Sequence, residues 1–183
     1  RDSNSRFDLN AGVFTSTTGL LTCNTTLTGN IFDIATASTF NHSNGSIKFS
    51  GSNHFTIDTH SSSLYNVEVN KCGSCTASGT LDVDGDLILA SAGTSNIDIY
   101  LAGDLSGSAT MHHSGSSGKI TFDGTGDQTS TFTGRLPYVT VNKASGTLTF
   151  ASDFAISKTF TYTAGSVVFA GGQTTTFSGG DHW

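Results

Sequence analysis

The segment LYNVEVNK at positions 64–71 returns as LPYVTVNK at positions 136–143, so that Val67, Val69, Asn70 and Lys71 recur as Val139, Val141, Asn142 and Lys143, 72 residues later. The surroundings recur as well. GSIKFSG (45–51) precedes the first copy much as GKITFDG (118–124) precedes the second. GSVVFAGGQTTTF (165–177) then opens a third copy, whose Gly-Gln-Thr-Thr-Thr-Phe ending echoes Asp-Gln-Thr-Ser-Thr-Phe at 127–132. Self-similarity of this kind marks a chain built from stacked units, none of which buries its apolar face alone. The sequence reads as a single repeat domain over 1–183, with a partial repeat at 7–44, a full repeat at 45–117, and a repeat plus the start of a further copy at 118–183.

Apolar residues alternate with polar ones through Ile47-Lys-Phe49, Phe55-Thr-Ile57, Val67-Glu-Val69, Leu81-Asp-Val83, Ile97-Asp-Ile99, Ile120-Thr-Phe122, Val139-Thr-Val141, Leu148-Thr-Phe150, Phe154-Ala-Ile156 and Phe160-Thr-Tyr162. Period two is the mark of short, half-buried strands. Ser-Asn-Gly, Asp-Gly-Asp, Ala-Gly-Asp and Gly-Gly between them are turn formers. No stretch carries a helical apolar stripe, so the expected class is all-β. A β-solenoid, or parallel β-helix-like repeat, fits short strands and a repeat of about three coils of twenty-odd residues. Tandem β-sandwich modules are the alternative, but a sandwich needs about 100 residues to close. In the solenoid, the two Val-x-Val-Asn-Lys copies are expected to occupy equivalent positions on successive units. Their valines should point inward, and Asn70 and Asn142 should turn the chain in the left-handed conformation that Asn tolerates.

Composition narrows the function. Charged residues make up 12% of the chain, against roughly 25% in an ordinary globular protein. The eight basic residues form no run and the net charge is −6, which leaves no electrostatic footprint for nucleic acid. No apolar run is long enough for membrane insertion, and no signal peptide is visible. Arg occurs only at positions 1, 6 and 135 and Glu only at 68. A polysaccharide-cleaving groove wants clustered acids or an acid with a base, and no G-x-S-x-G elbow is present, so no catalysis and no cofactor are expected.

The series TFNHSNGSIKFSG (39–51), SLYNVEVNK (63–71), SGTLDVDGDLILASAG (78–93), GKITFDGTGDQTSTF (118–132) and YVTVNKASGTLTF (138–150) resembles the Gly/Thr-rich repeats of very large secreted or surface-anchored bacterial proteins. The resemblance covers about 40–177, with FDLNAGVF near the N-terminus as a looser partial copy. It implies a β-helical, adhesin-like stalk, extracellular or at the bacterial cell surface, with no chemistry of its own. The expected role is a structural subunit or segment of a stalk or self-assembling filament, partnered head to tail with further copies of itself. The alternative is a carbohydrate-binding adhesin or phage-type receptor-binding fibre, in which Tyr65, Tyr100, Tyr138 and Tyr162 would stack on surface glycans.

Individual residues add candidates. Asp82, Asp84 and Asp86 in LDVDGDL alternate on a strand and are the calcium candidates, although neither the EF-hand nor the nonapeptide calcium pattern is met; a solvated turn is the reading preferred. His42, His54, His60, His112, His113 and His182 are scattered and read as surface residues. Asn24, Asn41 and Asn44 head N-x-Ser/Thr sequons and are glycosylation candidates. Cysteines number three, which forbids full internal pairing. Cys72 and Cys75 of CGSC suit a local disulfide in an inter-strand loop, with Cys23 left over.

Overall fold

The computed structural model describes residues 6–70, 74–90, 94–113, 115 and 117–178. Among them are seventeen strands and no helix, and every strand pairing is parallel. This is a β-solenoid, and the parallel ladder rules out sandwich modules, which are built from antiparallel strands.

The pairings climb in three series. One runs from Phe7 to Phe32, Ile57 and Ala77, and near the other end from Leu136 to Ile156 and Phe177. The second runs from Leu64 through Val83, Leu101, Phe122 and Val141 to Tyr162, and Phe14 pairs with Phe40 in a separate two-stranded piece. The third passes through Leu21, Ile47, Val67, Leu87, Leu105, Ser130, Phe150 and Phe169. Long strands such as Arg135–Phe150 and Phe154–Phe169 carry the chain from one series to the next, with shifts of register along them.

Alternation places the core as the sequence predicts. Ile47, Phe49, Val67, Val69, Leu81, Val83, Ile97, Ile99, Ile120, Phe122, Val139, Val141, Leu148 and Phe150 all lie inside one continuous apolar column. Aromatic pairs reinforce it: the Phe150 ring stacks on Phe154 at 4.7 Å and on Phe169 at 5.1 Å, geometry that adds to the gain from burial.

Two expectations are corrected. Val67 and Val69 belong to the third series, whereas Val139 and Val141 belong to the second. Three full turns carry Val67 to the level of Ser130, and the chain rounds two more corners before reaching Val139. The repeated motif therefore describes a strand followed by a corner, and any side of the coil can host it. Asn70 and Asn142 lie in strands, and neither has positive φ; the left-handed backbone after Val-Thr-Val falls on Gly146, with φ 73°.

Turns stack as closely as strands. Gly103 N–H donates to the Gly85 carbonyl at 3.0 Å, and Gly85 N–H to that of Tyr65 at 3.0 Å. A Cβ on Gly103 would collide with the Gly85 carbonyl beneath it, which is the physical reason for Gly in both D-G-D and A-G-D.

Candidate functional site

Three features outside the apolar column carry chemistry: the turn acids, a carboxylate and histidine cluster, and the first and last described rungs.

Side-chain oxygens at one corner form a ladder. Asn66 Oδ1 accepts from Asp86 N–H at 2.8 Å, Asp86 Oδ1 from Asp104 N–H at 2.9 Å, and Asp104 Oδ1 from Thr129 N–H at 2.6 Å. Asp127 and Asp153 do the same for Thr147 and Thr174. Each acid satisfies a backbone donor of the rung above, a charge-assisted bond stronger than a neutral one. Asp86 is thus occupied in the ladder, while Asp84 accepts from Ser63 Oγ at 2.7 Å and lies 3.3 Å from His42 Nε2. Asp82, Asp84 and Asp86 are all exposed. Burial pushes the Asp82 carboxyl above its ordinary value, and the charges of Asp84 and Asp123 add to this.

The His, Cys, Asp and Glu side chains that converge, among the described residues, are Asp33, Asp58 and His60. Asp33 and Asp58 are partners in register on adjacent rungs. His60 Nδ1 is 2.9 Å from Asp58 Oδ1, and the His60 backbone N–H donates to the same oxygen at 3.2 Å. The sequence reading left His60 as a surface residue and passed over both acids. Asp58-Thr-His60 offered a local signal, but the approach of Asp33 depends on a rung of 25 residues that no spacing rule supplies. A cleft of about 450 Å³ adjoins the cluster, lined by Asp58, His60, Ser61, Thr80, Asp82 and Tyr100 among others.

Of the remaining candidates, Asn24, Asn41 and Asn44 are all exposed. Asn24 and Asn41 lie in strands, and Asn44 in a turn with φ 57°. The four tyrosines are spread out: Tyr100 enters the cleft, while the hydroxyls of Tyr138 and Tyr162 donate to the carbonyls of Gly115 and Gly165. Cys75 is buried and disulfide-bonded, and Cys72 lies outside the described residues, as does His182.

Cys23 is free and buried, and burial pushes its thiol from 9.0 to about 11. At pH 8 its thiolate fraction falls roughly 100-fold below that of an ordinary cysteine, because the thiolate is the reactive form. Iodoacetamide should therefore label Cys23 at least about 100-fold more slowly in the native chain than in denaturant. Because the folded value is the raised one, the stability this thiol contributes is complete below pH 9 and declines as pH rises through about 11. Cys23→Ser should remove that part of the alkaline decline in a pH series of melts.

Apolar exposure concentrates at the two ends. Val13 and Leu20 lie on the first rungs at 69% and 59% exposed, and Tyr162, Val168, Phe169 and Phe177 on the last rungs at 39–57%. From residue 157 onward, the strand Phe154–Phe169 pairs with no described strand on its outer side; the first strands of the three series likewise pair on one side only. No family model, no curated protein and no solved structure matches this chain, so its role has to be argued from this geometry.

Proposed function

We propose that the chain is an extracellular structural element of a bacterial surface, a stalk segment or filament subunit that grows by end-to-end addition of parallel rungs and performs no catalysis. The supporting observation is the placement of exposed apolar side chains and one-sided strands on the terminal rungs. An open parallel edge is a template for another strand. A head-to-tail contact between unlike ends does not close on itself and so yields a fibre. The sides are better defended, with Lys48 and Glu68 paired at 2.6 Å and Thr56 and Thr76 hydroxyls at 2.9 Å across neighbouring rungs.

Light scattering and electron micrographs of the purified 183-residue chain should reveal filaments. Val13→Lys combined with Val168→Lys places a like charge on both mating ends and should abolish them while leaving the melting temperature within a few degrees. A chain that stays monomeric at high concentration, or a double variant that assembles unchanged, would refute end-to-end growth. The carbohydrate-binding alternative draws on Tyr100 in its hydroxyl-rich cleft; glycan-array binding lost in Tyr100→Ala would favour it.

A further inference from the structure

We propose that Asp33, Asp58 and His60 form a binding site for a divalent transition-metal ion, with zinc the ion best suited to the donor set. One ligand atom from each lies within 4.8 Å of the others, so a slight contraction brings all three onto a common ion. Two carboxylate oxygens and an imidazole nitrogen are ordinary zinc ligands, and three protein donors with one open position are the arrangement of a site that also admits water or a ligand. Calcium prefers six to eight oxygens and fits this set poorly.

A separate observation also points to a cation. Asp33 and Asp58 oppose each other in register on adjacent parallel strands, where like charges are destabilising. Asp58 is only 8% exposed. The donors its carboxylate receives among the described residues both come from His60, and both reach Oδ1. The Asp58 side chain is 11% exposed, so two carboxylates stand in register with little water between them and one imidazole beside them. Among the described residues, Asp33 receives a long contact from Asn30 Nδ2, at 3.4 Å. Consecutive left-handed residues, His60 at φ 42° and Ser61 at φ 69°, fold the chain back so that the imidazole returns over Asp58. Asp58 and His60 line the cleft of about 450 Å³ that also carries Ser61, Ser78, Thr80 and Tyr100, which leaves room on their side for the fourth ligand.

The test is a zinc titration of the chelator-treated full chain, followed by calorimetry and by thermal melting. One saturable equivalent and a rise in melting temperature are expected, with calcium unable to compete. His60→Ala and Asp33→Asn should each weaken binding at least tenfold, since even outer-shell partners of a metal are commonly worth 10–100-fold. His112→Ala with His113→Ala should leave binding unchanged. Zinc that binds His60→Ala and Asp33→Asn as it does the parent, or that is lost with His112 and His113, would overturn the assignment. So would the absence of saturable binding. Both single variants are made because His60 is exposed and Asp33 half-buried; if one fails to fold, the other decides.

Discussion

Val141→Asp is expected to unfold the stack locally and to lower stability by about 4 kcal/mol or more. Val141 is fully buried and stands in register between Phe122 on one rung and Tyr162 on the next. A carboxylate there enters the apolar column beside Phe122, the buried Lys143 ammonium is already committed to three acceptors, and the lost valine volume adds a packing term. At roughly 2–4 °C per kcal/mol for a chain of this size, the melting temperature should fall by about 10 °C or more. Thr140→Asp, one residue away, should cost less than about 1 kcal/mol. Thr140 is half-buried on the outward face between Thr121, which is buried, and Thr161, which is exposed and lets water reach the new charge. Equal losses for the two would contradict the inward and outward assignment of the strand.

That contrast rests on alternation, the part of the structure most openly written in the sequence. A strand's two faces follow from a period of two without reference to any other strand, so Ile120, Phe122, Val139 and Val141 could be placed inside before any pairing was known. Phe160-Thr-Tyr162 has the same pattern, yet Tyr162 is 57% exposed. Its pattern is correct, but its position on the last rungs leaves it uncovered, and a pattern carries no information about whether a neighbour is present. Register between rungs is harder still. Turns of the coil take 18 residues between Leu87 and Leu105, 20 between Val67 and Leu87, and 25 between Leu105 and Ser130. Such variation arises in the corners, where backbone satisfaction by Asn66, Asp86 and Asp104 matters more than apolar period. A motif of strand plus corner can then recur on a different side, as Val-x-Val-Asn-Lys does. The Asp33, Asp58 and His60 cluster was hidden for the same reason, since residues 25 apart meet only after the length of a particular rung is known.

Lys143 shows what the repeated lysine does where it is described, and its substitution is the second large expected effect. The side chain is fully buried, at 1% exposed. Its ammonium donates to the carbonyls of Gly124 at 2.6 Å and Gly126 at 2.9 Å, and to Gln128 Oε1 at 2.6 Å. Gln128 in turn donates through Nε2 to the carbonyls of Leu101 at 2.9 Å and Gly103 at 2.6 Å. Three donors thus meet three acceptors, and one amide passes the network down to the preceding rung. Burial lowers the Lys143 pKa from its ordinary value, while the charges of Asp127 and Asp123 act against that shift. Lys143→Met keeps much of the length and apolar stem but leaves two buried acceptors, the Gly124 carbonyl and Gln128 Oε1, with no ammonium to meet them, and the carbonyl of the exposed Gly126 to water, at a cost of about 1–3 kcal/mol for each group stranded away from water. Because the acceptors relax together, a total loss of about 3–4 kcal/mol is expected. Gln128→Leu should also destabilise, by stranding the Gly103 carbonyl and taking an acceptor from the Lys143 ammonium, while the Leu101 carbonyl keeps the Asp123 N–H at 3.2 Å. The double variant should lose less than the sum of the singles, because each single already breaks the bond between Lys143 and Gln128. Denaturant melts of the four proteins measure that coupling. Strict additivity, or a Lys143→Met chain as stable as the parent, would show that the buried ammonium does not tie these rungs together.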